Sequence, residues 1–322
     1  MGTPADSLAQ APLLGTLFTM FLYGIGCMQV FYYLQNYQED RIGMKLLVAV
    51  IWTLETLHTV LSIYFVEFYL IVNFSNEGNL FHVNWGVPVS FIVGFLVAFL
   101  VNVYFIWRFW RLSQNMIFST TLLVLAIARL AVGWMNSVLA IEDTLWEDFR
   151  AKTFASIVAG YVLSVLADAL LAAALCWLLH NLRTGVKRTD NMIDNLLIYT
   201  INTGVLTSIG ALVVLILFLC LPTSLAFIGV LQVQTKLYGI SFLASLNSRN
   251  SMLDKAKATR QSSIRINNFV MSRSHNSANM KRGNTNPIVR LQEGWASSNA
   301  HDMFFRIISR STKRWRLLMM SK

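Results

Sequence analysis

Charge is what this chain has least of. Asp, Glu, Lys and Arg make up 13% of its 322 residues, about half the ~25% carried by a soluble domain. Long stretches carry almost none, while 55% of the chain is hydrophobic. That balance excludes a water-soluble globule with a single core and makes lipid part of the solvent. Proline is also sparse: five residues, of which Pro12, Pro88 and Pro222 are expected at helix ends or in loops. Receptors with proline-kinked helices are therefore disfavoured, as are transporters built on proline-broken helices, although glycine breaks stay open. The three cysteines, Cys27, Cys176 and Cys220, all fall in apolar stretches, so no disulfide framework is indicated. The five histidines (His58, His82, His180, His275 and His301) are scattered without metal-ligand spacing. No Gly-x-Ser-x-Gly element, phosphate loop or dinucleotide fingerprint occurs. No catalytic residue, metal or cofactor is therefore expected, and the chain does not read as an enzyme.

What is present is a series of apolar runs. A helix crossing the ~30 Å hydrocarbon layer needs about 20 mostly apolar residues. Seven such runs are found, at 10–34, 43–69, 87–107, 116–140, 154–179, 196–221 and 225–246. The fold expected is an all-α integral membrane bundle of seven transmembrane helices. The first run has no preceding Lys or Arg and is too long for a cleaved leader. Pro222, Thr223 and Ser224 alone join the last two runs, which makes them antiparallel neighbours.

Orientation follows from basic residues in short loops. Arg41 and Lys45 follow the first run, Arg108 and Arg111 the third, and Arg183, Lys187 and Arg188 the fifth. The opposite side carries Arg150 and Lys152 among Glu142, Asp143, Glu147 and Asp148. Residues 1–9 are thus expected outside and the carboxyl terminus in the cytosol of a plasma or endomembrane. Asn73-Phe74-Ser75 is the one glycosylation sequon, in a loop assigned outside. Residues 247–302, rich in Ser, Asn and Arg, read as a disordered basic cytosolic tail. Residues 303–322 set Trp315 and other apolar side chains on one helical face. Arg306, Arg310, Lys313, Arg314 and Arg316 spread over the other. Much of the net charge of +10 lies in this tail, so anionic inner-leaflet lipids, or a cytosolic partner of the tail, are better matches than nucleic acid.

Five ionisable residues fall mid-span: Glu55 and His58 in the second run, Arg129 in the fourth, Asp168 in the fifth and Lys236 in the seventh. A charge at that depth costs about 2.5–3.5 kcal/mol on the insertion scale, so each needs a partner or a wet cavity. Matching sign, depth and ring order pairs Arg129 with Asp168 and Glu55 with Lys236. Two readings stay open: ion pairs that fix the bundle, or a ligand cavity, ion path or proton relay. A retinal lysine at Lys236 is disfavoured, because Gln232 stands one turn earlier and the third run offers no carboxylate, Asn102 being its nearest polar group. The third run ends Trp107-Arg108-Phe109-Trp110-Arg111, without an acid-Arg-aromatic triplet. Gly24-Ile25-Gly26, Gly94 with Ala98, and Gly204 with Ser208 are expected close-packing surfaces.

Thr189-Asp190-Asn191, then Tyr199-Thr200-Ile201-Asn202-Thr203-Gly204, lead into the sixth helix. Lys236-Leu237-Tyr238 and Ser241-Phe242-Leu243-Ala244-Ser245-Leu246-Asn247-Ser248-Arg249 close the seventh. With Trp52-Thr53-Leu54-Glu55-Thr56-Leu57-His58, these stretches resemble a large family of uncharacterised seven-helix membrane proteins of mushroom-forming fungi, whose later half is a domain of unknown function. The resemblance spans about residues 12–249. It implies seven helices with a cytosolic tail and a role for Glu55, His58, Asp190, Asn202 and Lys236. Phe242 stands where that family more often has leucine. The leading functional reading is a receptor-like sensor or membrane scaffold; the alternative is a small-solute or proton-coupled transporter, with an intramembrane enzyme third.

Overall fold

The structure is a computed structural model, and it describes residues 4–73, 78, 82–142, 145–181, 187–221 and 224–248, without the side chains of 4–9, 179 and 187–203. The described residues all belong to one compact unit, Met1–Leu253. They form α1 (Pro4–Asn36), α2 (Ile42–Glu67), a π-helical turn (Phe68–Val72), α3 (Gly86–Ser113), α4 (Met116–Glu142), α5 (Trp146–Asn181) and α6 (Lys187–Cys220). A seventh helix, α7, covers Ala226–Ser248. No sheet strand occurs among the described residues; a single isolated bridge joins His82 and Leu145. The fold is an all-α membrane bundle. Six of its helices are long and apolar enough to cross a bilayer, and in α6 the described apolar portion is Gly204–Cys220.

The helices overrun the apolar runs because the hydrogen-bond ladder continues past the hydrocarbon-length core. Arg108 and Arg111, expected after the third helix, lie within the last turns of α3. Arg150 and Lys152 lie within α5, whose acidic first turn, Glu147 and Asp148, suits the positive end of the helix dipole. Arg150 donates from Nη2 to the Phe218 carbonyl, and its Cζ lies 4.3 Å from the Phe218 ring centroid, which ties the start of α5 to the end of α6. Pro12 corrects a second expectation. It sits inside α1, because the helix begins at Pro4 rather than at residue 10. Pro88 is the third residue of α3, where the missing N–H has no intrahelical carbonyl to lose. Asn247 and Ser248 belong to α7 and not to the tail. The remainder of the expected tail, the 303–322 amphipathic segment and Pro222 lie outside the described residues.

Burial sorts the helices. In the most apolar windows of α3 and α7, 61% and 67% of residues are buried, against 22–39% in α1, α2, α4 and α5. The outer helices present large apolar side chains such as Phe21, Met28, Ile117 and Trp177 outward, which is stable only against lipid chains. α3 and α7 are therefore the most enclosed helices, and the half-buried residues Ala226, Val230, Val233, Leu237, Ile240 and Ala244 leave α7 one narrow apolar stripe toward lipid. The side chains of α7 reach α1 through Thr16 and Gln232 (3.0 Å), α3 through the Tyr104–Phe242 rings, and α6 through Gln234 and the Thr207 carbonyl (3.3 Å).

Close backbone approaches allow that enclosure. A Cβ on Gly15 would stand 2.3 Å from the Gly229 Cα, so α1 and α7 cross on two glycines. Of the expected small-residue surfaces, Gly94 meets Thr235 and Gly204 meets Ala172. Gly24 and Gly26 meet nothing within 4 Å among the described residues, so they form no close-packing surface there.

Candidate intramembrane site

Two buried charge networks flank α7. In the first, the Lys236 ammonium donates to Glu55 Oε2 at 2.6 Å and to the Glu55 backbone carbonyl at 2.7 Å. The Thr59 hydroxyl donates to the same carbonyl at 2.9 Å, so this oxygen is shared among several donors. Tyr23 packs on the same ammonium, its ring centroid 5.5 Å from Nζ, and its hydroxyl meets Thr56 Oγ1 at 2.8 Å. Glu55 Oε1 has no partner among the described residues. It faces Gly239, where a Cβ would come within 2.5 Å of it.

In the second network, Arg129 Nη1 donates to Asp168 Oδ1 at 3.1 Å and Nη2 donates to the Tyr238 hydroxyl at 2.8 Å. The Tyr238 hydroxyl in turn donates to Asp168 Oδ2. Asn102 Nδ2 lies 3.4 Å from Asp168 Oδ1. The three side chains close a ring of hydrogen bonds in which each charge has a counter-charge and a polar neighbour, the condition under which buried ions are tolerated.

The structure thus brings Glu55 to Lys236 and Arg129 to Asp168. It does not bring His58 to the Glu55 carboxylate. The imidazole lies instead near Gly94 and Thr235, between α3 and α7, and Nδ1 has no partner among the described residues. Asp190 and Asn202 lie on the part of α6 whose side chains are not described, and Arg306, Arg310, Lys313, Arg314, Trp315 and Arg316 lie outside the described residues. Asn73 is the residue after the π turn, and its Nδ2 donates to the Phe68 carbonyl at 2.9 Å. The sequon asparagine therefore caps a helix end.

Two cavities meet at the second network. The larger, about 60 Å³, lies among α3, α4, α5 and α7, in the half of the bundle that holds the amino-terminal ends of α3, α5 and α7. Its walls are mostly aromatic and aliphatic, and Arg129, Tyr161, Ser164, Gln234 and Tyr238 are its polar residues near mid-depth. The smaller, about 30 Å³, is lined by Asn102, Asp168, Gly204, Thr207 and Tyr238 among others. Tyr238 lines both, so the Arg129–Asp168–Tyr238 ring is the partition between them.

The role of Tyr238 and the position of the cavity were not legible in advance. A signal was present: Gln232, Gln234, Thr235 and Lys236 are adjacent polar residues, and at 100° per residue they point in several directions around α7. Together they cover about half of its circumference, so the side of α7 that must be kept from lipid is broad.

Fold and site together define a multi-pass membrane protein with a charged, cavity-bearing interior. Within it, residues 164–251 match the model of a family of unknown function, DUF6534. That span contains one partner of each ion pair, Asp168 and Lys236, together with Tyr238; Glu55 and Arg129 precede it. No curated protein and no solved structure matches the chain. Among the described residues, no three His, Cys, Asp or Glu side chains gather as metal ligands.

Proposed function

We propose that this chain is a receptor-like membrane sensor whose ligand occupies the larger cavity. One observation carries the reading: an apolar chamber within the bundle ends on a charge-balanced ring of charged and hydroxyl groups. Chambers with apolar walls and a few convergent polar groups are the usual form of small-molecule sites. Because Tyr238 belongs to that ring and Lys236 is two residues away on α7, a ligand that displaces Tyr238 acts on both networks through one helix. α7 continues directly into the basic tail, which in this reading engages anionic inner-leaflet lipids or a cytosolic partner. The amino terminus lies outside and the carboxyl terminus in the cytosol, and the chain carries no enzymatic chemistry. The wider resemblance over residues 12–249 supports a fungal seven-helix family beyond the matched span, with all seven helices crossing.

A second reading, a small-solute or proton-coupled transporter, is favoured by a separate observation: the partition has a cavity on each side. Sealed proteoliposomes distinguish the two. The sensor reading expects protease access at the tail to change when the cavity is filled, with no solute uptake. Uptake that survives deletion of residues 249–322 overturns it in favour of transport.

A further inference from the structure

The polar groups around the larger cavity specify a head group. Ser164 lies one helical turn before Asp168 on α5, and Gln234 lies one turn before Tyr238 on α7, so the two form a tier next to the charged ring. Both line the cavity and both are 3% exposed. Each also retains a polar atom without a partner among the described residues, Ser164 Oγ and Gln234 Oε1. The orientation of the Gln234 amide is not arbitrary. Its Nε2 donates to the Thr207 backbone carbonyl at 3.3 Å, and a carbonyl only accepts, so Oε1 is left as an acceptor. Arg129 offers the opposite. It only donates, and Asp168 and Tyr238 engage two of its five N–H groups.

A head group that satisfies this tier donates to Gln234 and accepts from Arg129. A hydroxyl does both. A carboxylate cannot donate and an ammonium cannot accept. Charge points the same way. Asp168 already balances Arg129, so a charged head group would enter a low-dielectric interior without a counter-ion. Phe91, Phe95, Ile157, Phe227 and Leu231 leave the rest of the ligand an apolar surface. At about 60 Å³ the cavity is less than half the ~150 Å³ that holds benzene, so the hydrocarbon part is small.

From these constraints we infer that the cavity binds a small neutral alcohol, with its hydroxyl between Arg129 and the Ser164–Gln234 tier and its hydrocarbon against the aromatic wall. The inference rests on the reading of the cavity as a ligand site. It is tested on the full chain in nanodiscs with radiolabelled ethanol, acetate, ethylamine and ethane at neutral pH. Binding is measured in excess of partition into protein-free nanodiscs. The expected result is saturation by ethanol near one per chain, at least tenfold tighter than the other three probes. Gln234→Leu and Ser164→Ala should each reduce that advantage, and the comparison of probes on the unaltered chain stands if either variant fails to fold. Ethane, acetate or ethylamine saturating as tightly as ethanol overturns the alcohol assignment and leaves cavity binding intact. An advantage for ethanol that persists undiminished in both folded variants also overturns it. Absence of saturable binding by all four probes overturns the assignment and the sensor reading together.

Discussion

Removing Lys236 alone should harm the bundle at least as much as removing it together with the charge on Glu55. In Lys236→Met the carboxylate keeps its buried position but loses the ammonium 2.6 Å from Oε2, while Oε1 has no described partner to begin with. Breaking one side of a buried pair costs about 3–5 kcal/mol, most of it the cost of an uncompensated charge. Glu55→Gln alone leaves the ammonium on the residue-55 backbone carbonyl and a neutral amide, and should cost less, about 2 kcal/mol, because hydrogen bonds to a charged group are worth about 1.5–3 kcal/mol. The double variant Glu55→Gln with Lys236→Met carries no ion. Its loss should fall short of the summed singles by about 2–3 kcal/mol, in the range measured for residues in direct contact. With about 2–4 °C per kcal/mol for a chain of this size, the Lys236→Met midpoint should fall by roughly 6–20 °C, and the double variant should lose no more than that and recover up to about 4 °C. Thermal unfolding of the four proteins in one detergent, followed by tryptophan fluorescence, measures the cycle. Losses that simply add would refute the argument that the pair is buried and mutually compensating.

Other outcomes follow from single contacts. Tyr238→Phe removes the hydroxyl shared by Arg129 and Asp168, leaving a buried donor and a buried acceptor short of a partner; it should cost about 1–3 kcal/mol by the same unfolding assay, and a neutral result would mean the ring is not closed. Gly239→Ala places a methyl 2.5 Å from Glu55 Oε1 and should lower stability by about 1–3 kcal/mol, whereas Gly24→Ala, which meets nothing among the described residues, should be tolerated without loss of stability. A synthetic peptide of residues 303–322 should become helical on vesicles containing anionic lipid and stay unbound on neutral ones; each basic residue near an anionic surface contributes about 1 kcal/mol. Circular dichroism that shows no difference between the two vesicle types would remove the tail from the membrane surface.

The two ion pairs were readable from the sequence for a simple reason. Charge inside a bilayer is rare, and Arg129, Asp168, Glu55 and Lys236 are opposite in sign and matched in depth. Apolar run length anticipated an all-α membrane bundle for the same kind of reason, and six of the helices are long and apolar enough to cross a bilayer. Less was legible where the deciding force is not burial. α3 reaches Ser113 and α5 starts at Trp146 because backbone hydrogen bonding and a capping turn, with Gln114 at φ 55°, set those ends, and hydropathy does not register either. The role of Tyr238 was hidden because a tyrosine in an apolar run looks like any aromatic core residue. Only the arrival of α4 and α5 on either side of it turns its hydroxyl into a link between two ions. His58 shows the converse. Sequence spacing sets it one turn from Glu55, yet its ring lies beside Gly94 of α3.

The polar sequence of α7 bears on how the chain is made. Its mean hydropathy, 1.2, is the lowest of the six long apolar helices, and it carries Gln232, Gln234 and Lys236 in five residues. Such a segment gains little from lipid on its own, so it depends on helices already in the bilayer to receive it. Synthesis from the amino terminus supplies them: Glu55, Arg129 and Asp168 are all in the membrane before Lys236 and Tyr238 leave the ribosome. Biogenesis then ends with a step of recognition between helices, and an error in α2, α4 or α5 would surface as failure of α7 to stay inserted.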